Sequence, residues 1–239
     1  MSKNDQMHSS QRIVSPGGST GPAPVAQGVY GERGNLELLV AHASDGLVVH
    51  WFNNDRPGSE PVSGIAPGSW SAGLQFAHGT RYRAAQIAQS PLGPDHLEAI
   101  ALTSRGELEH WTWSPEPGFV RHGTLASAVS DAELTVAADG ALRIEVLTDR
   151  LERLTLDAAP EGYPARSWNS RAATGAVRNV DAALALVRAA SIPLPTVSPR
   201  DLRVARSDRE GGTLEVTWRD DDGHLVHAAA PLPATLLLA

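Results

Sequence analysis

Gly34-Asn35-Leu36-Glu37-Leu38-Leu39-Val40, with Asp45-Gly46 and His50-Trp51 behind it, returns along the chain as Asp95-His96-Leu97-Glu98-Ala99-Ile100-Ala101, Arg105-Gly106 and His110-Trp111. The offset between the two copies is 60 or 61 throughout. A third copy near the C-terminus reads Gly212-Thr213-Leu214-Glu215-Val216-Thr217-Trp218, Asp222-Gly223, Leu225 and His227, and keeps the histidine without the tryptophan. The weakest copy, Gly140-Ala141-Leu142-Arg143-Ile144-Glu145-Val146 followed by Leu151, lacks His-Trp and is two residues short before its second strand. Short apolar segments precede the copies: Val25-Ala26-Gln27, Ile87-Ala88-Gln89, Leu134-Thr135-Val136-Ala137 and Leu202-Arg203-Val204-Ala205.

Each unit therefore predicts a short strand, a loop, a strand such as Leu36 to Ala41, a glycine turn and a strand such as Leu47 to Phe52. Asp45-Gly46 and Asp222-Gly223 supply the positive-φ residue that hairpin turns require. Leu108, His110 and Thr112 alternate with Glu107, Glu109 and Trp111, as a two-faced strand does. A further strand is expected around Leu74 to Phe76 or Phe119 to Arg121. Small antiparallel sheets repeated at this spacing are the signature of propeller blades, each burying its faces on its neighbours. The fold class expected is all-β, a propeller-like array of four or five blades. A β-sandwich is the alternative, but it need not repeat its sequence.

Residues 1–21 read as a disordered tail, rich in Ser, Gly and Pro, and residues 22–239 as the propeller-like domain. An insertion at about 171–195 interrupts the repeat, with a helix from Val180 to Ala190 capped by Asn179 and stopped by Pro193. The same stretch also fits a strand of a decayed fifth blade. Ala234 to Leu238 is expected to pair with the N-terminal blade and close the ring.

The chain has 239 residues, a formal charge of -7 and no cysteine, which removes disulfides, thiolate zinc sites and thiol nucleophiles. The acidic balance argues against nucleic acid or an anionic membrane as an electrostatic partner. No window reaches the 18 or more apolar residues of a membrane span, and no signal-peptide core is present, so a cytoplasmic protein is the default, with non-classical secretion as the other route.

The segment from Gly34 through Gly46-Leu47-Val48-Val49-His50-Trp51-Phe52-Asn53-Asn54-Asp55 resembles the bacterial β-propeller repeats related to fucose-binding and tachylectin-like lectins. The resemblance covers about residues 22–125. Glu37, Trp51, Asn54 and Asp55 match the repeat pattern, while Leu36 stands for an aromatic residue and Phe52 for an arginine. The resemblance implies a propeller without catalytic apparatus, whose sugar sits between blades in pockets lined by aromatic residues.

Trp51 and Trp111 fall in one column of the repeat, and a flat indole suits the apolar face of a sugar, although the same rings could pack between blades. Trp70 and Trp113 are expected at edges or loops, and Asn54 and Asp55 could meet sugar hydroxyls or simply form a turn. These six residues form the expected ligand set. His50, His110 and His227 share a column and so lie in separate blades, which favours structural hydrogen bonding over metal ligation. Asp220-Asp221-Asp222-Gly223 lacks calcium-loop spacing and reads as a hairpin turn. Glu37, Glu98 and Glu215 are separated by blade, whereas a glycosidase needs two carboxylates astride one bond. The sequence thus points to a non-enzymatic module with no catalytic residues, metal or cofactor, taking carbohydrate between blades. A protein-interaction scaffold is the rival, and a glycan-processing enzyme the third reading.

Overall fold

The computed structural model describes residues 10–26, 34–55, 64–90, 96–137, 139–173, 187–188, 192, 201–207 and 212–232. The chain enters through β1 (Gln11–Val14), which belongs to the last blade and not the first. It then crosses into blade 1, where β2 (Ser19–Thr20) and β3 (Val25–Ala26) pair with opposite ends of β4 (Leu36–His42). β4 pairs with β5 (Leu47–Asn53), whose other edge carries β6 (Ser69–Trp70) and β7 (Leu74–Phe76).

Blade 2 is a four-stranded meander of β8 (Tyr82–Gln89), β9 (Leu97–Thr103), β10 (Leu108–Ser114) and β11 (Gly118–Ala126). Blade 3 repeats it with β12 (Val129–Val136), β13 (Leu142–Thr148), β14 (Arg153–Ala158) and β15 (Trp168–Ala172). Blade 4 has β16 (Arg203–Ser207), β17 (Thr213–Arg219) and β18 (Leu225–Pro231), and β1 completes it antiparallel to β18. The protein is thus an all-β, four-bladed propeller. The apolar segments upstream of each repeat supply the inner strands: β3 lies against β8 and β16, and β12 against β8.

Part of the expected tail is therefore ordered. Residues 11–14 and 19–20 are strands, because the β18 edge has a partner to gain and the Ser-Pro-Gly run between them provides the turn. Gln11 also donates from Nε2 to the Gly68 carbonyl of blade 1, at 3.0 Å. One strand thus ties the first and last blades together, which covers an edge that an open array would expose. The expected closing strand Ala234 to Leu238 lies outside the described residues. Of the expected helix, Val187 and Arg188 are described and helical, with Val187 buried against blade 4; the remainder also lies outside the described residues.

Three of the four central hairpins share one five-residue turn. In blade 2 Thr103 N–H bonds Glu107 O, Gly106 N–H bonds Thr103 O and the Thr103 hydroxyl accepts from Glu107 N–H. Thr148 to Glu152 and Asp220 to His224 repeat every bond, with Asp220 Oδ1 in place of the hydroxyl. The fourth turn residue has positive φ in each: Gly106 at 82°, Gly223 at 87° and Leu151 at 64°. Blade 3 is therefore not two residues short. Its second strand begins at Arg153, and Leu151 occupies the glycine position of the turn. A leucine there strains its Cβ against its own backbone, and at 77 % exposure it gains no packing in return. Leu151→Gly is expected to raise stability by up to about 1 kcal/mol, part of the relieved strain being offset by a more flexible unfolded chain. A thermal melt that stays level or falls would contradict this.

Apolar side chains alternate along the strands and fuse into clusters between blades. Leu39, Ala41, Leu47 and Val49 of blade 1 pack on Ile87, Leu97, Ala99 and Trp111 of blade 2. Ile100, Leu102 and Leu108 of blade 2 pack on Ile144, Val146 and Leu156 of blade 3. Leu225 of blade 4 joins Leu36, Leu38, Val40 and Phe52 of blade 1. The seam between blades 3 and 4 differs. The remaining face of blade 4, with Leu214, Val216 and Trp218, is covered by Val187 and Ile192 of the connecting segment. The corresponding face of blade 3 carries the ion pairs Arg143–Asp157 and Arg171–Asp157.

Candidate functional site

Strand register decides which side chains meet. In blade 2 Glu98 pairs with Thr112 and Ile100 with His110, so Glu98, His110 and Thr112 share the face toward blade 3. Blade 4 matches it residue for residue, with Glu215 opposite Ala229 and Thr217 opposite His227. In blade 1, however, Glu37 pairs with Trp51 and Leu39 with Val49. Its second strand is shifted by one residue relative to the other two, because Gly46 closes the turn at the fifth position where Gly106 and Gly223 stand at the fourth.

A one-residue shift moves every side chain to the opposite face. The structural equivalent of His110 and His227 is therefore Val49, and that of Trp111 is His50. Trp51 and Trp111 do not share a column, as their spacing suggested. They face each other from adjacent blades within one cluster. Trp111 is buried at 8 % exposure, and Trp51 is half-buried at its edge.

The junction of blades 1 and 2 consequently gathers aromatic rings from both. Trp51 and Trp113 lie 6.1 Å apart between centroids, Trp113 and Phe119 6.5 Å, and Phe76 stacks on Phe119 at 3.7 Å with an interplanar angle of 4°. Trp51, Phe76, Trp113 and Phe119 are each half-buried. Alternation along β10 places Glu109, Trp111 and Trp113 on this face, and register places Phe119 opposite Trp113 and Arg121 opposite Trp111.

The polar groups beside this cluster are tied together by hydrogen bonds. Glu109 Oε1 accepts from Arg121 Nε at 2.8 Å, and Oε2 accepts from the Tyr82 hydroxyl at 2.8 Å and Trp111 Nε1 at 3.1 Å. Arg121 Nη2 also donates to Thr124 Oγ1 at 3.0 Å, and the guanidinium side chain is 44 % exposed. Burial, followed by the hydrogen bond to Glu109 and its charge, pushes the Tyr82 hydroxyl upward, so it remains a donor. The result is a clamped, partly exposed cation beside a cluster of tilted, half-buried aromatic rings, an arrangement able to meet a molecule with one apolar face and several hydroxyls.

The other expected residues have separate places. Trp70 lies at the junction of blades 4 and 1, where its Nε1 donates to His227 Nδ1 at 3.3 Å and its ring meets His227 edge-on at 5.3 Å. Asn54 is buried, its Nδ2 donating to Gly34 O and its N–H to Asn35 Oδ1, so it braces the strand ends of blade 1. Asp55 is exposed beside it. The recurring glutamates are buried and bond side chains, not neighbouring backbone. Glu98 receives His110 Nε2 at 3.2 Å and Arg166 Nε at 2.7 Å; Glu215 receives His227 Nε2 at 2.7 Å together with the hydroxyls of Ser207 and Thr213. His50 faces blade 4, its Nδ1 3.0 Å from Ser71 O, and burial holds its pKa below the usual imidazole value.

Asp220, Asp222 and His224 bring possible ligand atoms within 4.8 Å of one another. Both carboxylates also meet the Arg12 guanidinium, at 3.2 and 3.6 Å, as expected of a hairpin turn tied to the closing strand. Among the described residues, no helix is long and apolar enough to cross a membrane.

Sequence reasoning missed Phe76, Tyr82, Glu109, Phe119 and Arg121. The signal for Glu109 was present in its alternation with Trp111 and Trp113. That for Arg121 and Phe119 required the β10–β11 register, which pairs them with Trp111 and Trp113.

No protein-family model matches the chain, and no curated protein matches it. Solved structures do. The SapL1 lectin in complex with α-methyl fucoside is 10 % identical, with a TM-score of 0.45, covering 91 % of this chain and 60 % of its own. A variant of Aleuria aurantia lectin in complex with α-methyl-L-fucoside is 15 % identical, with a TM-score of 0.44, covering 92 % and 64 %. A hypothetical protein from Leishmania major is 8 % identical, with a TM-score of 0.47, covering 96 % and 92 %. The chain spans about three fifths of the length of the two lectins.

Proposed function

We propose that this protein is a non-enzymatic carbohydrate-binding module whose ligand lies on the aromatic cluster at the junction of blades 1 and 2. The observation that carries the reading is the half-buried run Trp51, Trp113, Phe119 and Phe76 beside the Arg121–Glu109 pair. Indole faces attract the C–H face of a pyranose, and the clamped guanidinium offers donors to ring hydroxyls with little rotamer entropy left to lose. Some of the similar structures are lectins holding fucosides, which makes fucosides natural members of the first ligand panel. The separation of Glu98 and Glu215 into different blade junctions, each carboxylate occupied by its own partners, speaks against a paired-carboxylate hydrolase. A protein scaffold would be favoured by a contiguous apolar patch. The exposed large apolar residues described, Leu74, Val136 and Leu151, lie on three separate elements.

A glycan array probed with labelled protein tests the reading. Trp51→Leu and Arg121→Ala are expected to reduce binding at least about tenfold, a loss of about 1.4 kcal/mol, and Trp51→Leu is expected to leave the thermal unfolding midpoint close to wild type. Trp111→Leu is expected to behave differently. It removes a buried ring and strips one donor from Glu109, so stability should fall by about 3 kcal/mol. Silence on every glycan would move the assignment to the scaffold, and unfolding by Trp51→Leu would make that ring a core residue.

A further inference from the structure

Glu37 is the one repeat glutamate whose imidazole partner is absent from its own blade. Glu98 and Glu215 are each met diagonally across the hairpin by His110 and His227. The register shift of blade 1 places Val49 at that position. The Glu37 carboxyl is 3 % exposed and instead meets blade 2, where Gln89 Nε2 on the inner strand β8 lies 3.1 and 2.9 Å from its two oxygens.

Among the described residues, the elements beside Glu37 present uncharged groups: Gln89 from β8, Trp51 and Val49 from β5, and Ala26 from β3. The other titratable groups on the blade 2 side, Tyr82, Glu109 and Arg121, form their own cluster, with Glu109 opposite Ala101 and Gln89 opposite Leu97 at the other end of β9. The carboxyl therefore bridges two blades as a neutral hydrogen-bonding group, and burial lifts its pKa to about 8 against the lesser opposing effect of Gln89. Its cross-strand neighbour is Trp51, a member of the aromatic cluster.

We propose that Glu37 is a proton-operated latch between blades 1 and 2: protonated, it holds β4 against β8 and sets the separation of Trp51 from Trp113; ionised, it draws water into the junction and parts the two indoles. A buried carboxylate with one amide and no cation is costly, and hydration is the simplest relief open to it. The effect on ligand rests on the carbohydrate reading above; the movement of the rings does not.

The indole pair supplies a ligand-free readout, because two tryptophans 6.1 Å apart and tilted by 56° couple in circular dichroism. The wild-type couplet, defined as the signal lost in Trp113→Phe, is expected to fall by about half or more between about pH 6 and about pH 9.5, following one proton. Glu37→Gln should hold the couplet level across that range. Val49→His, which restores the partner found in blades 2 and 4, should hold it level as well by pairing the ionised carboxylate. A wild-type couplet that does not change with pH, or a Glu37→Gln protein that titrates like wild type, overturns the latch. Repeating the glycan array at both pH values separates the two ideas. A titrating couplet with no glycan bound at either pH keeps the latch and rejects the lectin reading, and glycan binding with a constant couplet does the reverse.

Discussion

Arg166→Met is expected to lower the stability of the protein by about 3–5 kcal/mol, enough to unfold many domains of this size at moderate temperature. The Arg166 and Glu98 side chains are both 0 % exposed, and the guanidinium bonds Glu98 through Nε and Nη2 while also donating to Ala159 O and Gly140 O. The loop after β14 thereby reaches back to blade 2 and holds the junction of blades 2 and 3. Methionine keeps much of the volume but leaves Glu98 buried with His110 as its principal partner. The loss measures the uncompensated carboxylate more than the attraction of the pair. For that reason Glu98→Leu in the Arg166→Met background should recover a large part of the stability. Urea titrations of the two single variants and the double variant provide the cycle. A cost for Arg166→Met below about 1 kcal/mol, or additive losses in the double variant, would show that the pair is not the bond holding these blades.

Wild-type stability is expected to decline as pH rises from about 4.5 to about 8, because Glu37 keeps its proton in the folded protein up to about pH 8 and loses it in the unfolded chain near its ordinary value of 4.5. Below 4.5 both states hold the proton and the full contribution of the neutral carboxyl is present. Between the two values the unfolded state alone ionises, so each pH unit removes about 1.4 kcal/mol. Over the whole window the loss approaches about 5 kcal/mol, reduced to the extent that the junction admits water. Glu37→Gln should flatten this slope and be the more stable protein at pH 8, the reverse of the usual outcome for a buried polar replacement. Denaturation midpoints measured at intervals across the window decide it, and parallel slopes for wild type and variant would place the titration elsewhere. The two equivalent positions thus differ in their partners: Glu98 has the Arg166 guanidinium within reach, and Glu37 has the Gln89 amide.

The local information in the chain was sufficient for the blades. Apolar alternation over seven-residue strands, glycine turns and repeat spacing determine an all-β ring of four or five small sheets, since each depends on neighbours along the chain. The expected segments Val25–Ala26, Ile87–Gln89, Leu74–Phe76 and Phe119–Arg121 all lie within strands, although β8 starts five residues before Ile87 and β11 runs on to Ala126. What only the tertiary structure decided is which faces and which distant residues meet. Asp45-Gly46 and Arg105-Gly106 look like the same turn, yet the glycine closes one hairpin a residue later than the other, and that single step places Trp51 and Trp111 in one cluster between adjacent blades and leaves Glu37 without a histidine. Strand β1 was hidden in a composition typical of tails because its partner β18 lies some two hundred residues away. Arg166 carried no local signal because its carboxylate is 68 positions distant. Periodicity records how often a side chain points inward. It does not record what is waiting there, which is set by register and by the packing of one blade on the next.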